Sequence, residues 1–284
     1  MKIVLAEKTG FCFGVKRAVA MAEEALGKKE PICSLGSIIH NKQVVRDLSR
    51  KGLKVVKNID DITEGTVVVS SHGISPKVAK DIVKRGIKII DTTCPFVLNA
   101  QKIAKRLSEK GYVVVIVGDS KHPEVKALVD FAPKRVFVVK DKHQAVRLRL
   151  KKDDRVSIIS QTTQSMTNFL DVVKTISGYA PKEMTIFNTI CHDAENRQER
   201  ARQLAGKVDL MLVVGGRDSA NTKRLFEVCK KVLDNSHLLE SEGELKEKWF
   251  ESVKTAGITS GASTPEWVIK KVVKKIGSIS RKIS

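Results

Sequence analysis

Aromatic side chains make up only 5% of the 284 residues, with two tryptophans and two tyrosines. Base-stacking platforms need such rings, so the composition argues against a nucleic-acid partner. No stretch approaches the roughly eighteen uninterrupted apolar residues of a spanning helix. The opening MKIVLAE reads as a short strand rather than a charged segment ahead of an apolar core. These absences predict a soluble, cytoplasmic protein with no membrane partner. The five cysteines are odd in number and widely spaced, and no CxxC occurs. That excludes a secreted disulfide framework and disfavours structural zinc, which usually uses at least one closely spaced pair. A Walker motif is also missing, which removes a P-loop nucleotide site.

Charge is plentiful. Lysine and arginine total 52 against 32 aspartates and glutamates, a formal charge of +20. The lysines lie in helix-like runs such as VIKKVVKKI and ALGKKE, interleaved elsewhere with acids, which reads as a solvated basic surface. Its functional counterpart is long-range attraction of an acidic partner, such as a small electron-carrier protein, or of an anionic substrate.

Short β-branched runs, among them VVVSS at 67–71, VVVIVG at 113–118 and LMLVVGG at 210–216, alternate with stretches of helical period. Continuous apolar strands are buried on both faces, so the fold class is α/β with mostly parallel sheets covered by helices. Nine strands run directly into polar turns: KTGFC, GSIIHN, SHGIS, TTCP, GDSKHPE, SQTTQ, NTICHD, GGRDSAN and TSGASTP. Open α/β sheets bind ligands at such carboxyl-end turns, and the helix N-termini behind them suit a phosphate or diphosphate. Cys12, Cys94 and Cys191 each stand where a strand gives way to a helix, 82 and 97 residues apart. This regularity predicts three similar αβα lobes in pseudo-threefold arrangement around a shared centre, with borders at 13–92, 93–189 and 190–284. Residues 1–12 would complete the sheet of the last lobe.

Thiolates select zinc or iron–sulfur clusters. Three isolated cysteines fit a cubane [4Fe-4S] cluster, whose fourth iron stays open to substrate and can act as a Lewis acid beside an electron store. The competing account, buried small residues at strand ends, is assigned instead to Cys33 in PICSL and Cys229 in RLFEVCKK. His40, His72 and His122 fall in the polar turns and can donate to phosphate or hydroxyl oxygens, whereas His143, His192 and His237 lack such settings. Glu124 shares its turn with His122, as a proton relay requires, although an acid at a helix start can also be only a terminal charge. Asp91 and Asp193 are its rivals.

Taken together, GFCFGVKRA, IIHN, SHGIS, DTTCP, HPEV, QTTQ, NTIC with NRQ, VVGG with RLFE, and GASTPEW resemble, in order and spacing, the 4-hydroxy-3-methylbut-2-enyl diphosphate reductase family over nearly the whole chain. The resemblance implies that Cys12, Cys94 and Cys191 hold the cluster and that His40, His72 and His122 bind substrate. It also implies that Thr162 and Glu124 position and protonate the substrate hydroxyl, and that Ser219, Asn221 and Ser263 hold the diphosphate. The implied reaction removes the hydroxyl reductively to give isopentenyl and dimethylallyl diphosphate, with reduced ferredoxin or flavodoxin as electron donor. A redox-neutral iron–sulfur dehydratase is the alternative. Two positions depart from the family pattern: Ala220 replaces a common serine, a hydroxyl that Thr222 could substitute, and Ala194 replaces a frequent threonine.

Overall fold

The computed structural model describes residues 1–28 and 30–283. Among the described residues, twelve parallel strands form three four-stranded sheets with the same internal order. The first sheet contains β1 (Lys2–Leu5), β10 (Leu210–Val214), β11 (Ser236–Leu239) and β12 (Thr255–Ser260), ordered β1-β12-β10-β11. The second orders β2 (Ile32–Leu35), β3 (Lys54–Val56), β4 (Thr66–Val69) and β5 (Lys88–Asp91) as β3-β2-β4-β5. The third orders β6 (Val113–Val117), β7 (Val136–Val139), β8 (Arg155–Ser160) and β9 (Glu183–Ile186) as β7-β6-β8-β9. The chain is therefore built of three similar α/β lobes.

Contacts group the chain into two compact units. One comprises Met1–Lys16, His40–Arg46 and the chain from His192 onward, and contains the first sheet. The other comprises Arg17–Ile39 and Asp47–Cys191 and contains the second and third sheets. In the first unit β1 pairs with β12 from Lys2 opposite Thr255 to Leu5 opposite Ile258, so the two ends of the sequence share one sheet.

The apolar runs dictate the cores. Every residue of β4, β6 and β10 is buried, as strands covered on both faces require. In the second unit Val115, Val117, Ile158, Phe169, Val172 and Ile176 pack together, the last three from α7 (Met166–Ser177). In the first unit Leu212, Val214 and Ile258 pack against Val268, Val272 and Ile276 of α10 (Glu266–Ile283), whose apolar positions recur at helical spacing.

All nine polar turns leave the carboxyl end of a strand and lead into a helix. The helices are α1 (Phe13–Leu26), α2 (Lys42–Arg50), α3 (Pro76–Lys84), α4 (Pro95–Glu109), α5 (Pro123–Phe131), α7, α8 (His192–Ala205), α9 (Ala220–Val232) and α10. The three strands without such a turn, β3, β7 and β11, are all sheet edges, and β7 feeds only the short α6 (Lys142–Ala145). Helix starts are encoded locally. Pro76, Pro95 and Pro123 occupy first turns, where the missing N–H costs no helical bond, and Ser75, Ser165 and Ser219 accept from the N–H three residues on.

Candidate active site

The first unit carries Cys12, His40, Ser219, Asn221 and Ser263; the second carries His72, Cys94, His122, Glu124, Thr162 and Cys191. Each unit is described on its own terms.

The three site cysteines have equivalent local settings. Each immediately precedes a helix, and each donates its main-chain N–H to a carbonyl two residues beyond the end of a strand in its own unit. Cys12 bonds Ala262 at 3.0 Å, Cys94 bonds Ser71 at 3.0 Å and Cys191 bonds Thr162 at 2.8 Å. The partner turns are those that bear Ser263, His72 and Thr162. All three thiols are partly exposed, whereas Cys33 and Cys229 are buried. Burial pushes the Cys229 thiol up to about 12 and raises that of Cys33, so both stay protonated and fill space.

In the first unit α9 opens on a capped, buried first turn. Ser219 caps the helix, accepting from the Thr222 N–H at 3.3 Å. Asn221, only 4% exposed, has neither its amide nitrogen nor its oxygen hydrogen-bonded among the described residues. A buried amide that leaves both groups unmade is costly unless a ligand completes them. Ser263 donates to the His40 carbonyl at 3.1 Å. Gly216 lets that backbone approach, because a Cβ there would lie 2.6 Å from the same oxygen. Burial holds the His40 imidazole below its ordinary value, with Lys223 reinforcing and Asp218 opposing, which favours a neutral ring. Thr222 is fully buried beneath the turns, and a Cβ on Gly261 would come 2.0 Å from its hydroxyl. Like the Asn221 amide, that hydroxyl has no hydrogen-bond partner among the described residues.

In the second unit Glu124 and Thr162 form a closed pair. Thr162 donates its N–H to Oε1 at 2.6 Å and its hydroxyl to Oε2 at 2.8 Å. Glu124 is 1% exposed. Burial pushes its carboxyl up to about 7, against the two bonds from Thr162 that pull it down. His122 caps α5, its Nδ1 accepting from the Glu124 N–H at 3.2 Å, which leaves the proton of the neutral ring on Nε2. His72 meets His122 edge to face with ring centroids 5.3 Å apart.

The rival acids are otherwise engaged. Asp91 accepts from both the N–H and the hydroxyl of Thr93. Asp193 pairs with Arg197 at 2.6 Å. Sequence reasoning passed over Gln101, which is buried with its amide nitrogen unpartnered among the described residues; a Cβ on Gly73, beside His72, would meet that nitrogen at 2.5 Å. Its position seven residues after Cys94, on the same helix face, is the signal that could have found it.

Three repeated four-stranded parallel sheets, with thiol, imidazole and carboxyl groups at the turns that follow their strands, define an α/β enzyme scaffold. Residues 3–277 match the family described as LytB protein, and the chain belongs to that family. It is 44% identical over 282 residues to a 4-hydroxy-3-methylbut-2-enyl diphosphate reductase of Pelobacter propionicus, covering 99% of this chain and 100% of the relative. A reductase of the same name from Geobacter metallireducens is 46% identical over 279 residues, with 98% of each covered. Among solved structures, the E-1-hydroxy-2-methyl-but-2-enyl-4-diphosphate reductase of Plasmodium falciparum superposes with a TM-score of 0.92 at 28% identity, covering 96% of this chain and 87% of that one. A structure titled as the terminal enzyme of the non-mevalonate pathway, (E)-4-hydroxy-3-methyl-but-2-enyl diphosphate reductase, matches at TM-score 0.69 and 38% identity, with 98% of this chain and 100% of that one covered.

Proposed function

We propose that this chain reduces 4-hydroxy-3-methylbut-2-enyl diphosphate to isopentenyl and dimethylallyl diphosphate, the last step of the non-mevalonate route. The observation that carries this reading beyond family membership is the buried Glu124–Thr162 pair, an acid held protonated near neutrality with a hydroxyl on it. The reaction takes two electrons and two protons: the allylic C–O bond breaks, the hydroxyl leaves as water, and a carbon at either end of the allyl system takes the second proton.

The chemistry of the donor set fits an iron–sulfur group. Three partly exposed cysteines, each directly before a helix, stand apart from two buried ones. We assign Cys12, Cys94 and Cys191 as its ligands. When bound, a [4Fe-4S] cluster would supply the electrons and one iron open to substrate. The protein's own groups do the rest. Asn221, Ser219, Ser263 and the N-terminus of α9 hold the diphosphate, with His40, His72 and His122 donating to its oxygens. Thr162 orients the substrate hydroxyl and passes it the Glu124 proton, and recovers a proton through the same contact.

The lobe borders at 13–92, 93–189 and 190–284, with 1–12 joined to the last, belong to this reading and are supported by the shared strand order. A reduced ferredoxin or flavodoxin is the proposed electron donor, and the charge of +20 suits an acidic one. No helix among the described residues is long and apolar enough to cross a membrane, and we place the enzyme in the cytoplasm. The deciding experiment is anaerobic reconstitution, an iron and sulfide count, and turnover with reduced viologen. Formation of both isomers only with reductant supports the reading; water loss from substrate without reductant would indicate the redox-neutral dehydratase.

A further inference from the structure

The turn that presents Cys12 contains an unusual backbone feature and a buried side chain that answers it. Lys8 adopts φ of +62°, a left-handed conformation that L side chains rarely take. Its carbonyl accepts from Arg197 Nη1 at 2.9 Å, and the Nε of the same guanidinium bonds Asp193 Oδ2 at 2.6 Å. The Arg197 side chain is 3% exposed, and all three residues lie in one compact unit. A planar guanidinium can serve two acceptors at once in fixed geometry, and the Asp193 carboxylate neutralises its charge, which is what allows burial so close to a ligand-bearing turn.

We propose that Arg197, seated by Asp193, is a positioning residue that locks the left-handed turn at Lys8 and so fixes where Cys12 is presented. The role extends beyond packing: the fork reaches the carbonyl of the one residue in the turn whose backbone needs external support. Gly10, the other positive-φ residue there, is a glycine and adopts φ of +84° readily. A separate contact of the same kind sits in the other unit, where Arg17 donates to the carbonyl of Thr93, the residue before Cys94, at 3.1 Å. It supplies an internal control. The consequence for iron–sulfur retention rests on the assignment of Cys12 as a ligand.

The test uses hydrogen–deuterium exchange on the metal-free protein and iron release to a chelator from the anaerobically loaded protein. Arg197→Met should speed exchange at amides 6–12 by about tenfold or more, the range of local opening, and leave 92–94 unchanged. Arg17→Met should do the reverse. Arg197→Lys, which keeps charge but not the fork, should give an intermediate effect and stays informative if the Met variant folds poorly. Adding Lys8→Gly to Arg197→Met should recover part of the protection, because glycine meets no Cβ penalty at this positive φ, and this rescue is one that general destabilisation would not show. Loaded Arg197→Met should lose iron several-fold faster than wild type. Unchanged exchange at 6–12, or equal loosening of 6–12 and 92–94, overturns the proposal. A loosened turn with normal iron release overturns it if Cys12→Ser loses its iron; if Cys12→Ser keeps its iron, the ligand assignment fails along with it.

Discussion

Thr162 holds both oxygens of the Glu124 carboxyl, one through its N–H at 2.6 Å and the other through its hydroxyl at 2.8 Å. The two residues are 38 positions apart and sit on turns after adjacent strands, β6 and β8. Under the proposed function the same hydroxyl would pass a proton onward, so the pair would join acid and substrate contact in a single unit.

Glu124→Gln keeps the shape but supplies no acidic proton. Iron content and substrate affinity should remain near wild type while turnover falls by roughly 100-fold or more, the span of general acid catalysis. Turnover of the wild type should also decline as pH rises through about 7, as the carboxyl loses its proton. Anaerobic steady-state rates at several pH values measure both, and a variant within threefold of wild type sinks the assignment.

The same residue makes stability depend on pH. Its folded value is raised from 4.5 to about 7, so its contribution is fully present below about 4.5 and is lost as pH rises through about 7. The loss should approach about 3 kcal/mol, at 1.36 kcal/mol per unit. Glutamine does not titrate. Urea unfolding of the metal-free proteins at pH 5 and 8 should therefore show Glu124→Gln gaining on wild type as pH rises, and a constant difference would contradict the burial argument.

Thr162→Val removes the hydroxyl and leaves the N–H. One of the bonds that lowers the Glu124 value disappears, so the high-pH limb of turnover should move upward even as the rate falls. A lower rate with an unmoved limb would mean that Thr162 acts only through substrate.

Cysteine reactivity separates the two classes of thiol. In metal-free protein at pH 8, iodoacetamide should label Cys12, Cys94 and Cys191 well before Cys33 and Cys229, because burial raises the latter two and pushes Cys229 to about 12. Peptide mass spectrometry after short exposures gives the order. Early labelling of Cys229 would contradict its place in the core.

Much of this architecture is legible in the amino-acid sequence. The nine polar turns are visible because short β-branched runs such as Val113–Val117, ending in turn residues, read as buried strands, and all nine turns precede helices. The edge strands β3, β7 and β11 are less evident: Lys54–Val56 is three residues long with two exposed, too short to show a period. Glu124 and Thr162 are linked in the sequence only through the family resemblance and the relay it suggests, since they meet through sheet register, a long-range property. The contact of Arg197 with Lys8 spans 189 positions, and nothing local in NRQER announces it.

The final prediction concerns Asn221, whose amide is buried with both polar groups unmade among the described residues. Leaving such a group without a protein partner costs about 1–3 kcal/mol when nothing else completes it. A charged diphosphate would complete it, with each bond contributing about 1.5–3 kcal/mol. Function and stability therefore pull in opposite directions at this position. Asn221→Leu, similar in size and apolar, should raise the melting temperature of the ligand-free protein or leave it unchanged. It should also weaken binding of substrate, and of inorganic diphosphate as a simpler probe, by at least tenfold in calorimetry. Ser219→Ala, by contrast, removes a helix cap and should lower the melting temperature as well as affinity. If Asn221→Leu instead destabilises the empty protein by several kcal/mol and binds diphosphate normally, the amide serves the fold and the anion lies elsewhere.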